Sequence, residues 1–279
     1  MYLTTLDKFL QDKGFKYQYP EYLYHYTNSD ALINIVENSE FWLTHIQYFN
    51  DKKEYHDGVD LILKTLTSRK DELGSELFKS LKNIFLGNQW LNKSMNVGVL
   101  SFSSKRDLLS QWRGYTKIGK GYCLGIKTNE LFNQKMKVHF CRCIYHDSEK
   151  KIIVNSIIDD IIQRKKKEKS IDDIDAHAFF LFQYCSIIFK NESFFEEEEW
   201  RLITFPLANN DKNWNFRSGE STIIPYTKIN IDLKRTLNEV IIGPSDNQKL
   251  SKNSLFFLLF KNDLCFNSIR YSSVPYRGL

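Results

Sequence analysis

Hydrophobic residues recur along this chain at a helical period in some stretches and at every second position in others, and the switches between the two mark its elements. Leu3, Leu6, Phe9 and Leu10 stand at helical spacing. A turn-prone stretch from Lys13-Gly14 to Pro20 then leads into Glu21-Tyr22-Leu23-Tyr24-His25-Tyr26, which reads as a strand. Thr27 or Ser29 is placed to cap a helix carrying Leu32, Ile33, Ile35 and Val36, before a second strand over 41–46 that stops at Asn50-Asp51. Leu61, Leu66, Leu73, Leu77, Leu81 and Phe85 mark one broken helix or two successive ones. Strand character returns over 97–103, and a short helix with Leu108, Leu109 and Trp112 follows.

Residues 121–126 and 138–145 are β-rich, and the interval 147–192 is mostly helical. Short strands are expected over 200–205, 221–226 and 239–244, then a helix over 248–260 and a closing strand over 268–271. No linker rich in Gly, Pro or Ser and no fixed repeat divides the chain, so 1–279 is expected to form a single domain with a helical insertion at about 147–192. Strands grouped before and after blocks of helix, without regular βαβ alternation, predict an α+β fold with a mixed, mostly antiparallel sheet core. Gly119, Gly121 and Gly125 form no dinucleotide-binding fingerprint, and there is no Walker-type loop.

Composition changes this picture in a few places. The chain of 279 residues is 42% hydrophobic and 26% charged, as an ordered globular protein is, and its 15% aromatic content points to bulky cores or stacking surfaces. The run Leu255-Phe256-Phe257-Leu258-Leu259-Phe260 is far short of the roughly 20 residues that span a bilayer and reads as a buried helix. The N-terminal residues lack the basic, apolar and small-residue segments of a secretory signal, so a cytoplasmic protein without a membrane partner is expected. Cys123, Cys141, Cys143, Cys185 and Cys265 are scattered, which suits reduced core thiols, and no zinc-site spacing predicts a metal. Much of the net charge of +5 comes from 164–167 and Lys169, which read as a solvated helix face in preference to a nucleic-acid patch.

Three groups of residues could carry chemistry. His25 lies among Tyr22, Tyr24 and Tyr26, where its ring nitrogens could bond a ligand's hydroxyls or serve only packing. Strand alternation would put Glu197 and Glu199 on one face, as a pair able to hold a ribose hydroxyl and stabilise an oxocarbenium-like centre. The competing structural role for Glu199 is a buried ion pair with Arg113 or Arg201. Trp112-Arg113 sets an apolar anchor beside a guanidinium that can fork onto phosphate or close an internal salt bridge. Asn50-Asp51 with Glu54 reads as a turn capping the next helix.

Tyr24-His25-Tyr26-Thr27, Phe41-Trp42-Leu43-Thr44, Phe49-Asn50-Asp51-Lys52-Lys53-Glu54, Ser101-Phe102-Ser103, Gln111-Trp112-Arg113-Gly114-Tyr115 and Glu197-Glu198-Glu199-Trp200-Arg201 resemble, in order, the pattern of the domain-of-unknown-function 2971 family. Phe216-Arg217, Ile224-Pro225-Tyr226, Ile241-Ile242-Gly243-Pro244 and Val274-Pro275-Tyr276-Arg277 extend the resemblance through the C-terminal half. That family is similar to proteins proposed to act in bacterial abortive infection against phage.

A more distant resemblance is to the ADP-ribosyltransferases, whose three-part signature would here be His25, Ser101/Ser103 and Glu197/Glu199. It implies NAD as substrate, with Glu199, Glu197 and His25 catalytic and Tyr26, Thr27, Ser101, Ser103, Trp112 and Arg113 binding the dinucleotide. It also implies a nucleic-acid or protein acceptor, and a toxin of this kind would have a partner or neutralising protein. The alternative is a non-enzymatic module that binds a nucleotide or phage component. A nuclease ranks third, because no spaced carboxylate or His set for two metals is found. Whether His25 and Glu199 line one pocket is the observation that separates the first two.

Overall fold

The computed structural model describes residues 5–15, 17–49, 52–86, 96–116, 121–132, 134, 138–167, 170–264 and 268–275. Leu3, Asn50-Asp51, Gly119, Lys169, Cys265 and Tyr276-Arg277 of the sequence reading lie outside them, as do the side chains of Lys52, Lys53 and Glu54.

The architecture is α+β, with a mixed, mostly antiparallel open sheet of ten strands among the described residues. The strand bearing His25, β1 (Tyr22–Asn28), pairs antiparallel along its length with β4 (Gly121–Lys127), His25 opposite Leu124. Beyond β4 come β9 (Leu237–Ile242) and β10 (Ile269–Tyr271), the latter pair parallel. On the other side β1 meets β3 (Gly98–Ser103), so the N-terminal strand and the strands after Trp200 share one sheet.

The site depends on a branch at β3. One edge of β3 pairs continuously with β6 (Glu199–Thr204), from Val99 opposite Ile203 to Ser103 opposite Glu199, and β6 pairs in turn with β5 (Val138–Arg142). The opposite edge is divided. Ser103 faces Tyr24 of β1 at one end, while Gly98 and Val99 face His45 and Thr44 of β2 (Glu40–His45) at the other. Near Ser101 the strands β1 and β2 therefore part. Strand β2 continues the sheet to β8 (Ile223–Asn230) and β7 (Asn215–Ser218). Gly98 is required at this branch, because a Cβ there would stand 2.8 Å from the Leu43 carbonyl oxygen and 2.6 Å from Thr227.

Two apolar layers hold the sheet. On one face α3 (Lys52–Ser68), α4 (Lys70–Leu73), α5 (Ser75–Leu86), α8 (Asp147–Lys166) and α9 (Ile171–Ile188) pack against Val99, Cys141 and Ile203. Leu66, Leu73, Leu81 and Phe182 are fully buried there, each worth about 1.5–3 kcal/mol of transfer free energy. The other face is covered by α2 (Ser29–Asn38) and α11 (Gln248–Lys261), through Leu32, Ile35, Leu255 and Leu259 on Leu23, Phe41, Phe102 and Val240. Between these helices in sequence lie α6 (Leu109–Tyr115), α7 (Thr128–Phe132) and, near the C-terminus, α10 (Leu233–Thr236), after α1 (Thr5–Asp12) has opened the chain.

Several expectations change in detail. Asn28, not Thr27 or Ser29, caps α2 by accepting from the Ala31 N–H at 2.9 Å, because β1 runs to Asn28, beyond the expected end at Tyr26. The segment read as one or two helices contains three, broken at Arg69 and at Gly74, whose φ of 78° is natural only to glycine. Helix α11 is only half buried: Leu255 and Leu259 face the sheet, whereas Phe257 is 69% and Phe260 61% exposed. Strand β7 had no counterpart in the sequence reading. Helices α8 and α9 do lie between the adjacent strands β5 and β6, and the basic run ends α8 mostly in solvent. Cys123, Cys141, Cys143 and Cys185 are buried thiols. No helix among the described residues is long and apolar enough to cross a membrane.

Candidate functional site

A cleft of about 320 Å³ opens where β1 and β2 part, a size in the range of small-molecule sites. Of the residues singled out by sequence, His25, Tyr26, Thr27, Ser101, Glu197 and Glu199 line it. Ser103, Trp112 and Arg113 lie outside that lining. The Ser103 hydroxyl donates to the Glu197 carbonyl at 2.6 Å and accepts from Lys105 N–H at 2.9 Å. Trp112 is buried, packs edge-on to Tyr26 and donates its indole N–H to Asp107 at 2.7 Å. Arg113 is exposed on α6. Tyr26 itself is pinned, donating to the Lys105 carbonyl and accepting from Leu108 N–H, and its ring packs with Trp112, so it is not a mobile stacking group.

His25 is positioned by alternation in β1, which sends it away from Tyr24 and Tyr26 and between the rings of Phe41 and Phe102. Its Nδ1 lies 3.0 Å from the Ser101 carbonyl oxygen. A carbonyl only accepts, so Nδ1 carries the proton and Nε2 is left with a lone pair. Burial lowers the His25 pKa, partly offset by that bond, and the ring is neutral near pH 7.

The carboxylates arrive by a different route than strand alternation. Glu197 ends a 3-10 turn (Glu192–Glu197), Glu198 takes a left-handed conformation with φ 40°, and β6 begins at Glu199. This reversal lets Glu197 and Glu199 each take a hydrogen bond of 2.5 Å from Lys190 Nζ. Glu199 also accepts from Arg201 Nε at 2.6 Å and from the Ser101 hydroxyl. Glu199, Lys190 and Arg201 are all buried. Burial alone would raise the Glu199 pKa, but the Arg201 and Lys190 charges outweigh it and hold the group at about 2. Glu199 thus lines the cleft with His25 and also forms the buried pair with Arg201 that was its structural alternative.

Residues not singled out complete the walls. Gln111 and Tyr115 reach the cleft from α6; burial and then the Glu199 charge push the Tyr115 phenol up. Lys190 carries no local cue, standing alone after α9. From the far wall come Trp42, stacked on Tyr226 at 4.3 Å, and Arg217. Among the described residues no group of three or more His, Cys, Asp or Glu is placed to hold a metal ion.

No curated protein and no solved structure matches the chain. Residues 111–202 match the model of a family described as "Protein of unknown function (DUF2971)". That stretch contains Gln111, Tyr115, Glu197 and Glu199 of the cleft lining, with Lys190 and Arg201 that pair with Glu199 behind it, and the match supports the domain-of-unknown-function 2971 family.

Proposed function

We propose that the cleft binds NAD and that the protein breaks its nicotinamide–ribose bond, passing ADP-ribose to a nucleic-acid or protein acceptor, or to water. The observation that carries this reading is the meeting of His25, Ser101 and Glu199, from the neighbouring strands β1, β3 and β6, along one cleft. Nicotinamide leaves with the bonding electrons, and the positive charge that develops on the ribose faces a carboxylate held ionised. The Ser101 hydroxyl, Lys190 and Arg201 all donate to the Glu199 carboxylate, so it acts as a fixed negative charge and not as a proton acceptor. His25 Nε2 is placed to accept from a ribose hydroxyl, and Glu197 orients the acceptor. Defence against phage is the setting we propose, and its support is the family resemblance.

Release of free nicotinamide from NAD, with and without cell extract, tests the reaction. Ser101→Ala is the informative variant because it leaves the ion pairs of Glu199 in place. It should lower turnover by about tenfold or more, since one positioning hydrogen bond is lost in the transition state. A second reading is favoured by the same ion pairs: with Lys190 and Arg201 on Glu199, the cleft would bind a nucleotide without splitting it. NAD bound but never consumed, even in extract from phage-infected cells, establishes that reading instead.

A further inference from the structure

The cleft has two walls of different character. The β1–β3–β6 wall presents His25, Ser101 and Glu199, while the β2–β8–β7 wall presents Trp42, Thr44 and Arg217. The charged groups on the two walls are also in different states. Glu197 and Glu199 bond Lys190, and Glu40 meets Lys228 at 3.0 Å. Arg217 meets no carboxylate among the described residues. From β7, where it stands opposite Ile224, its side chain crosses β8 to β2 and donates one bond, Nη2 to Thr44 Oγ1, at 3.0 Å. A guanidinium has five N–H donors in a fixed fork, so the remaining ones are available to a ligand. Arg217 is exposed at the mouth of the cleft, yet the lining takes part of the water from its guanidinium, which lowers its pKa, and among the described residues no carboxylate repays that cost.

We infer that Arg217, oriented by Thr44, is the phosphate-binding point of the cleft, so that the site takes phosphate-bearing nucleotides in preference to the corresponding nucleosides. The inference rests on the NAD reading for the identity of the nucleotide but not for the anion site itself. Phosphate oxygens match the guanidinium fork, and an ion pair formed in a partly desolvated cleft is stronger than one on an open surface. The geometry then divides the work: the wall that holds Glu199 faces the glycosidic bond, and the opposite wall holds the phosphates. Arg113, the sequence candidate for this contact, lies on α6 outside the cleft lining, whereas Arg217 is part of it.

Calorimetric titration of the full chain with NAD, ADP-ribose, nicotinamide riboside and inorganic pyrophosphate tests this, using wild type, Arg217→Gln and Arg217→Lys. Wild type should bind NAD and ADP-ribose more tightly than the riboside. Arg217→Gln, which can still bond Thr44, should lose about ten- to a hundredfold on the phosphate-bearing ligands while leaving the riboside unchanged, and Arg217→Lys should fall between. Equal affinity of wild type for NAD and the riboside, or an Arg217→Gln variant that binds all ligands as wild type does, overturns the phosphate point and leaves the NAD reading standing. Arg217-dependent binding of pyrophosphate without binding of any nucleotide keeps the anion site and removes the NAD reading. Thermal melts of the three proteins show whether the substitutions act through folding; a loss of affinity that follows a loss of fold in both variants counts against the inference.

Discussion

His25 donates its Nδ1 proton to the main-chain oxygen of Ser101, 3.0 Å away, at the point where β1 and β2 part from the edge of β3. A split in a sheet leaves backbone groups without strand partners, and such groups are costly when buried. Here an imidazole takes the place of the missing strand, and in doing so its tautomer is fixed with a lone pair on Nε2. His25→Phe should pack between Phe41 and Phe102 but leave the Ser101 carbonyl without its donor, lowering stability by about 1–3 kcal/mol. Because burial lowers the His25 pKa, ligand binding should be flat between pH 8 and the usual histidine range of about 6.5. A binding curve with a step at that ordinary histidine pKa would show that His25 titrates freely and is not held in this tautomer.

Besides His25, a second buried histidine should weaken the fold in mild acid. His139 on β5 is buried against Tyr184 and Phe205, and both ring nitrogens lack a hydrogen-bond partner among the described residues. Burial lowers its pKa from 6.5 to about 4. The unfolded chain therefore binds the proton first: stability is full above the unfolded value, falls as pH drops below it, and levels off below the folded value. His139→Phe should be more stable than wild type at pH 5 by about 1–2 kcal/mol, with a smaller difference at pH 8. Urea melts at the two pH values measure it, and an equal difference at both would show that the ring does not titrate on unfolding.

Strand β1 lies between β4 and β3, and through them it joins β9 on one side and β6 on the other. A cut between N- and C-terminal halves would tear the centre of the sheet, so the chain should unfold as one unit. Tryptophan fluorescence and far-ultraviolet circular dichroism should give coincident urea transitions, and brief trypsin treatment should cut first within 164–167. Two separated transitions, or two fragments that each keep a melting transition, would indicate two domains.

The sequence made the β1–β3–β6 wall legible because its information is local. Alternation in β1 sets His25 apart from its tyrosines, and Ser101 and Glu199 stand in apolar strand runs, although it was the resemblance and not a period that singled them out, and Glu199 is aimed by the turn at Glu198. Arg217 was less visible as a site residue: Asn215-Phe216-Arg217-Ser218 contains one apolar side chain, and Phe216 is 66% exposed, so β7 owes its form to pairing with β8 and not to pattern. Lys190 was invisible for a related reason, since its burial comes from carboxylates seven and nine residues away that fold back through the turn at Glu198. Helix α11 shows the limit of periodicity itself. A run that is apolar all round does not say which side meets the sheet; Leu255 and Leu259, one turn apart, are buried against it, and Phe256 and Leu258 are only partly covered.

The last prediction concerns Lys190, whose Nζ lies 2.5 Å from carboxylate oxygens of both Glu197 and Glu199. With Arg201 and Lys190 in place, Glu199 has a folded pKa of about 2 against an ordinary value of 4.5, a depressed carboxylate. Its contribution is therefore present above the unfolded value and is lost as pH falls toward the folded one, a window below that of His139. Lys190→Met keeps the length of the stem and removes the charge that Glu197 and Glu199 share, leaving two buried carboxylates with Arg201 on Glu199. Stability at pH 7 should fall by about 3–5 kcal/mol, the cost of breaking a buried pair by removing one partner. The loss should also depend on pH in the opposite sense to wild type. One carboxylate will now bind a proton more readily in the folded state than in the unfolded chain, so the variant should gain stability relative to wild type on going from pH 7 to pH 5. Lys190→Arg, which retains the charge, should keep most of the stability. Urea melts of the three proteins at pH 7 and pH 5 decide the matter: a Lys190→Met deficit that is the same at both values would mean that Glu197 and Glu199 do not depend on Lys190 for their ionisation.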